Sequence, residues 1–530
     1  MTPLPSRRAL LRGAPTQAPA GDRPPWMPEV ITRRTAPWSP PAPPVEPPTP
    51  PPPPPSSGTT RAQALHLARR ATWGATPRLV ADIRAVGAQA WVDAQLDPAR
   101  IPLTADERTV LAEYPRLSMS VAAVRERYGS DTGDLGTDSI HAYTARAIWS
   151  ERQLFEVMAD FWTNHLVVTA PWGPAWDSVH RFQEDVVRRH ALGRYADLLV
   201  AAVTHPALLK QLDNTSSTRW SPNENLGREL LELHTVGVEA GYTEADVRHS
   251  TLVLTGLTTH RQTGEAAYEP DWHHTGRLTV LDWRHANTAA DGSAVVRDYL
   301  LHLARHPRTA RRIATKLAVR FVGDSPPAAL VDRLAAAYLA ADTRIAPVLR
   351  TLFASEEFAG AGGTKTKRPF ENAVSTARVL GIRPGPANRR WFDEVLWLSS
   401  LAGHKPMGWP APNGYPDVAA AWAGAGATLG VWNLHMQQGW QSTRTDDPWV
   451  TVPPFRGLLP AALPATHGEY VDALASRLLV GPLSTAKRAA VCAFLDRTPA
   501  SPLRATDAAV GWRLPYVVAL LLDTPEFATR

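Results

Sequence analysis

Alanine, leucine, arginine and glutamate dominate a long series of segments in this chain, at residues 139–165, 177–191, 194–203, 222–236, 243–255, 293–304, 308–322, 327–340 and 344–354. These are the residues that helix interiors prefer, and their apolar members recur at helical spacing. Stripes of that kind are buried by packing helix on helix. Residues 266–283, AAYEPDWHHTGRLTVLDW, alternate instead as strands do, with HHTGR as the expected hairpin turn. The expectation is a mainly α, multi-helix globular body with one small β-hairpin excursion.

The first 59 residues differ in kind. They hold twenty of the fifty prolines, including the run Pro50 to Pro55, and almost no periodic apolar residues. Such a composition cannot bury enough surface to offset chain entropy, so a disordered, partly polyproline II arm is expected. Residues 60–359 then form the main helical domain. Residues 360–530 form a C-terminal helical region, readable as a second lobe of the same domain, with the glycine-rich GAGGTKTKR at 360–368 as a candidate hinge.

The formal charge of +6 does not point to nucleic acid. Arg7, Arg8, Arg12, Arg23, Arg33 and Arg34 against Asp22, Glu29 and Glu46 place +3 of it in the arm. Pairs such as Arg188-Arg189, Arg311-Arg312 and Arg389-Arg390 are scattered, without the interleaved aromatics of a strand-binding surface. No window approaches 18 consecutive apolar residues, so no membrane span is expected. Ser6 to Arg12 resembles a twin-arginine export motif, but the polar, proline-broken GAPTQAPAGDRPPW follows it where an apolar segment is required. A cytoplasmic location is therefore favoured, with export to the cell envelope as the alternative. The lone Cys492, inside AAVCAFL, excludes an internal disulfide framework and reads as a buried thiol.

Polar residues concentrate at 221–247, SPNENLGRELLELHTVGVEAGYTEADV. Ser221 as N-cap, Pro222 at the first helical position and Glu224 completing a box predict a helix start, and Gly237 a left-handed stop. Thr243 with Asp246 predicts the next helix start. On a regular helical wheel Asn225, Glu229 and Glu232 fall within about 60° of one another, whereas His234 lies roughly 140 to 170° away. A site at these residues needs other segments. One candidate is LFEVMADFWTNHLVV (154–168), where Glu156, Asp160 and Asn164 share one face and His165 joins Leu154, Met158 and Phe161 on the apolar one. Another is Asp271-Trp272-His273-His274. Carboxylate and neutral imidazole are both ligands for transition metals. A divalent metal is thus one possible cofactor, with His165, His234, Glu229, Glu232, His273 and His274 as candidate ligands and Glu229, Glu232 and His165 as candidate catalytic groups. No H-E-x-x-H or C-x-x-C spacing accompanies them.

The blocks HLARRATWGATP (66–77), FWTNHLVV (161–168), RRHALGRYADLL (188–199), HPALLKQLDN (205–214), PNENLGRELLELHTVGVEAGYTEADV (222–247), HPRTARRIATKLAVRFV (306–322) and the GWP at 408–410 resemble, in order, a large bacterial family catalogued as domain of unknown function 1800. The resemblance covers about residues 62–527. It implies a helical fold and, in many members, an export signal and a neighbouring gene for a secreted protein; it implies no activity. Gly227 stands where the family usually has alanine, at an expected cost of about 0.5 to 1 kcal/mol in an exposed helix. The family's usual His-Asp pair near the strands reads His273-His274. Two functions are expected from this. The first is a helical scaffold or accessory protein working with a partner protein. The alternative is a metal-dependent enzyme, such as a hydrolase, using a Glu/His site between helices.

Overall fold

Helix starts follow their caps. Thr60 accepts from the Gln63 amide while the Gln63 side chain returns to the Thr60 amide, opening the helix Arg61–Ala71. Thr76, whose side chain accepts from the Leu79 amide, opens Pro77–Val86 with Pro77 at the first helical position. The computed structural model describes residues 58–130, 133–385, 388–441, 450–451 and 455–530. Residues 1–57, with the expected disordered arm and the twin-arginine-like Ser6–Arg12, lie outside these. Among the described residues the body is mainly α, as expected, and no helix is long and apolar enough to cross a membrane. Cys492 is buried.

Several expected segments are divided. Residues 139–165 form two helices, Asp134–Trp149 and Gln153–His165. The Gln153 side chain donates from Nε2 to the Ala147 and Ser150 carbonyls at 3.3 and 2.6 Å, satisfying acceptors that the helix end leaves open. The segments 177–191 and 222–236 each contain a π-helical turn, Phe182–Arg188 and Leu230–His234. The second helix of the 221–247 block starts as expected, with Thr243 and Asp246 forming a reciprocal box ahead of Glu244–Leu254. The first does not. Its N-cap is Asn223, whose side chain accepts from the Asn225 amide, and Ser221 lies outside the helix Glu224–Glu229.

The β excursion consists of two hairpins. Leu257–Thr259 pairs antiparallel with Ala266–Tyr268, and Leu278–Val280 with Trp283–His285. HHTGR therefore connects two hairpins instead of turning within one. It is pinned by His273, fully buried, whose Nδ1 lies 3.1 Å from the Thr255 carbonyl and whose Nε2 lies 2.9 Å from Asn287 Oδ1. A third antiparallel pair joins Arg383–Pro384 to Val450–Thr451.

Residues 360–368, the candidate hinge, are tied to the C-terminal residues and the body. Lys365, Lys367 and Arg368 are buried, and the Lys367 amide and Lys365 carbonyl bond to Ala528 and Arg530 at 2.9 and 2.8 Å. Lys367 donates to Ser375 Oγ at 3.0 Å, while Lys365 and Arg368 enter a buried ion network around Glu371, in the helix Pro369–Leu380. Its carboxylate meets Arg320 at 2.7 Å and Arg368 at 3.4 Å and also takes Arg530. Arg368 and Tyr143 both donate to Asp160, while Arg530 and Lys365 share Asp417. This network crosses the expected 359/360 division, as does an apolar core that runs from Ala64 to Phe527.

Toward the C-terminus the helices Asn388–Leu401 and Ala425–Gln441 pack antiparallel. Gln437 Nε2 donates to Glu394 Oε1 at 2.6 Å, and a Cβ on Gly430 would fall 2.7 Å from the Ala402 Cβ. Trp397 and Leu401 on one helix and Leu429 and Trp432 on the other are 46 to 58 % exposed. At these spacings Trp397, Leu401 and Leu429 border the seam between the helices, with Trp432 flanking it.

Gly227 is buried, and a Cβ there would stand 2.4 Å from Thr251 Oγ1 and 2.8 Å from the Thr251 amide. The missing side chain lets Glu224–Glu229 lie directly on Glu244–Leu254, and Ser250 Oγ donates to the Gly227 carbonyl at 3.0 Å. The expected cost of glycine thus becomes a packing requirement. Gly227→Ala gains about 1 kcal/mol of helix propensity but overpacks against backbone, at about 1 to 3 kcal/mol. The expected outcome is a net loss of stability in thermal unfolding; a raised midpoint would refute this packing account.

Candidate functional site

Four of the recognisable blocks meet at His165. Trp162, one turn earlier, donates from its indole to the Ala191 carbonyl at 2.8 Å and stacks on Tyr195 at 5.3 Å, setting the end of the Gln153–His165 helix against Tyr195. His234 arrives from the other side at the end of the wide turn. That turn is held by Thr235 Oγ1 on the Leu230 carbonyl (2.6 Å), the Gly237 amide on the Leu231 carbonyl (2.8 Å) and Arg312 Nε on the Leu233 carbonyl (3.2 Å). Gly237 has φ 80°, and a Cβ there would meet the Arg312 guanidinium at 2.6 Å. The wide turn changes the angular step that separates His234 from its helix neighbours on a regular wheel.

The two histidines exchange bonds with each other's backbone. His234 Nδ1 donates to the His165 carbonyl at 3.1 Å, and His165 Nε2 lies 3.3 Å from the His234 carbonyl and 3.0 Å from the Tyr195 hydroxyl. Tyr195 itself donates to the His234 carbonyl. With that hydroxyl proton committed, His165 carries its proton on Nε2, and its bare Nδ1 accepts from Lys316 Nζ at 2.9 Å. A relay results: Lys316 amine to His165, His165 to Tyr195, Tyr195 to the His234 carbonyl.

Burial sets the protonation states. It pushes His165 well below its usual range and His234 down to about 3, the nearby Lys316 adding to both. Burial lowers Lys316 to about 7, reinforced by Arg312 one turn earlier in the helix Pro307–Phe321. Tyr195 is raised by burial. The cluster holds two neutral imidazoles, a neutral phenol and an amine near the midpoint of its titration. The missed residue is Lys316, and the signal for it was compositional. The chain has six lysines against fifty arginines, and this one lies inside the 306–322 block.

The other expected residues are placed elsewhere or differently. Glu229 and Glu232 remain side by side. Burial raises Glu229, Glu232 raises it further, and one Glu229 oxygen is buried without a partner. Tyr242 reaches Glu232 at a long 3.5 Å, and Asn225 turns to Asp213 at 3.2 Å. His273 is committed to Thr255 and Asn287, and His274 donates from its amide to Thr255 Oγ1 at 2.9 Å. Among the described residues no group of three His, Cys, Asp or Glu side chains is arranged to hold a metal ion.

The polar face of Gln153–His165 is also consumed internally. Glu156 takes a two-pronged contact from Arg188 at 2.7 and 2.9 Å, and Asn164 clamps the Tyr415 backbone at 2.8 and 2.7 Å. Asp160 and Arg368 line a small cleft together with Trp409 and Tyr415, whose rings lie 4.7 Å apart.

Against known proteins, the family described as "Protein of unknown function (DUF1800)" matches residues 66–529. No curated protein and no solved structure gives a significant match.

The buried imidazoles make stability depend on pH. His234 and His205 are held down to about 3 and His180 to about 4, in each case mainly by burial. Unfolded, each takes a proton near pH 6.5; folded, each does not until far lower. Their stabilising contribution is therefore complete above pH 6.5 and is lost as pH falls toward 3 to 4, at up to about 1.4 kcal/mol per pH unit per ring. Urea midpoints should fall steadily from pH 6.5 to 5, above the carboxylate range; a flat profile there would contradict neutral burial.

Proposed function

Because the chain belongs to the DUF1800 family, whose description assigns no activity, its own surfaces carry the argument, and we propose that it is a helical accessory protein that docks a partner protein. The observation behind this reading is the exposed apolar seam of Trp397, Leu401, Leu429 and Trp432. Four large apolar side chains gathered on two packed helices differ from scattered exposed leucines, and such patches mark association sites. A seam between antiparallel helices suits an amphipathic helix laid along it. The acids and bases of the recognisable blocks favour the same reading. Arg228 pairs with Glu224 and Glu244, Glu371 meets three arginines, and Glu156 meets Arg188, so much of that charge holds helices together.

A photo-crosslinking residue at position 397, compared with one at the exposed Arg84, tests this in the cells that make the protein. The expected product is one dominant partner from 397. That partner, once purified, should bind the chain and lose at least about tenfold in affinity to Leu401→Glu with Leu429→Glu, the loss of two apolar anchors. Equal products from 397 and 84, or crosslinks only to a second copy or to residues 1–57, would overturn it.

The second reading, a metal-dependent hydrolase, is favoured by the unpartnered Glu229 oxygen beside Glu232. A carboxylate there serves as a base toward a metal-activated water. This reading predicts that added Zn²⁺ or Mn²⁺ raises the thermal midpoint and that Glu229→Gln removes the rise; an unchanged midpoint with both ions sinks it.

A further inference from the structure

The six lysines are used selectively in a chain that otherwise relies on arginine. Lys210 lies 2.6 Å from Asp177, Lys365 lies 2.6 Å from Asp324, and Lys487 lies 2.5 Å from Glu526. Lys316 has no such partner; the buried Lys367 has none either, but its Nζ donates to Ser375 Oγ at 3.0 Å and lies over the Phe527 ring, with no imidazole bonded to it to take a proton. Among the described residues the polar contact of Lys316 is the bare Nδ1 of His165, and Arg312, on the same helix face one turn earlier, bonds only to the Leu233 carbonyl. Two cationic side chains thus stand together without a carboxylate in ion-pair contact with either. Arginine cannot shed its charge, whereas lysine does so on burial, so the residue type at 316 permits a chemistry that arginine would forbid.

We propose that Lys316 is a nucleophilic amine that forms an imine with a small carbonyl compound bearing a carboxylate, a 2-oxo acid, whose carboxylate lies on Arg312. The unpaired guanidinium supplies the fork that a planar carboxylate fits, and the amine one turn away reaches the adjacent carbonyl carbon. The Nζ lone pair attacks that carbon, and the carbonyl π pair moves to oxygen. As nitrogen becomes cationic, one proton passes to His165 Nδ1, already 2.9 Å away, and on to the new alkoxide. The second amine proton follows the same route, and the hydroxyl departs as water. Amine plus carbonyl gives imine plus water, with nothing oxidised or reduced. His165 is a positioning and proton-relay group here, oriented by Tyr195 and the His234 carbonyl. The burial that brings the amine close to its neutral form at pH 7 is consistent with this role.

The full chain is incubated at pH 7 with pyruvate or, separately, acetaldehyde in the presence of cyanoborohydride, which reduces an imine to a stable secondary amine. Peptide mass mapping then reads the six lysines individually. The expected result is labelling of Lys316 by pyruvate at least about tenfold faster than Lys405 or Lys487, from its larger neutral fraction. Arg312→Gln should slow labelling by pyruvate at least about tenfold more than labelling by acetaldehyde, which loses only the help that the Arg312 charge gives to the neutral amine. Wild-type protein alone decides the first point, so a variant that fails to fold does not rescue the proposal. Lys316 labelled no faster than Lys405 and Lys487 overturns the nucleophile. Slowing of both probes to the same extent by Arg312→Gln, or of neither, overturns the carboxylate subsite.

Discussion

Glu371 is the carboxylate on which the assembly of the helices turns. Arg320 from Pro307–Phe321, Arg368 at the start of its own helix and Arg530 at the far end of the sequence converge on it. The same arginines reach Asp160 and Asp417. Taking charges out of water costs several kcal/mol per ion, so such a network persists only when its members are paired, and removing one partner is destabilising by about 3 to 5 kcal/mol. Its geometry is therefore a constraint as much as a source of stability. Asp160 is fixed relative to Arg368, which fixes the Gln153–His165 helix, and that helix carries His165 toward His234.

The contrast between this network and the His165 cluster explains how one body holds two kinds of buried polar group. Around Glu371 the cations are mostly arginines and keep their charge, so carboxylates are supplied to them. Around His165 the cation-forming side chain is lysine, no carboxylate contacts it, and burial instead lowers its proton affinity to about 7. The neighbours suit that state. Neutral imidazole accepts from the amine, and the Tyr195 hydroxyl and His234 carbonyl pass the polarity on without adding charge. His234 Nε2, buried without a partner, is tolerable for the same reason, since an unprotonated ring nitrogen loses far less on burial than an imidazolium does.

What was legible in the sequence was what local chemistry decides. The Thr243-Asp246 box needs four residues to be recognised and forms as read, and the mainly α body follows from composition and period. What was not legible depends on distant contacts. Ser221 and Asn223 are both good caps, and the choice of Asn223 is tied to its amide meeting Ser217 Oγ at 3.0 Å. Gly227 reads as a weak helix residue until Thr251 is seen against it. His165 and His234 each stood out by residue type, but a regular wheel could not show the wide turn that brings them together. His273 shared their residue type without their surroundings.

Lys316 shows why residue type has to be weighed against the habits of the whole chain. A lysine in an amphipathic helix is ordinarily a solvated residue, and ARRIATKLAVRF offers it among three arginines with nothing to single it out. Its meaning comes from arginine being the default here. Where a permanent cation is wanted, arginine supplies it with a better fork and lower hydration. At 316 an arginine would place an undischargeable cation against His165 and one turn from Arg312, with no carboxylate in ion-pair contact with either, although Glu232 and Glu239 act on Arg312 from farther away. Lysine avoids that cost by giving up its proton, and the same loss exposes a lone pair. Stability and reactivity at this position then share one origin, the exclusion of water by Trp162, Tyr195 and the wide turn. Substitutions that let water in should weaken both together, whereas a purely structural lysine would be indifferent in its chemistry.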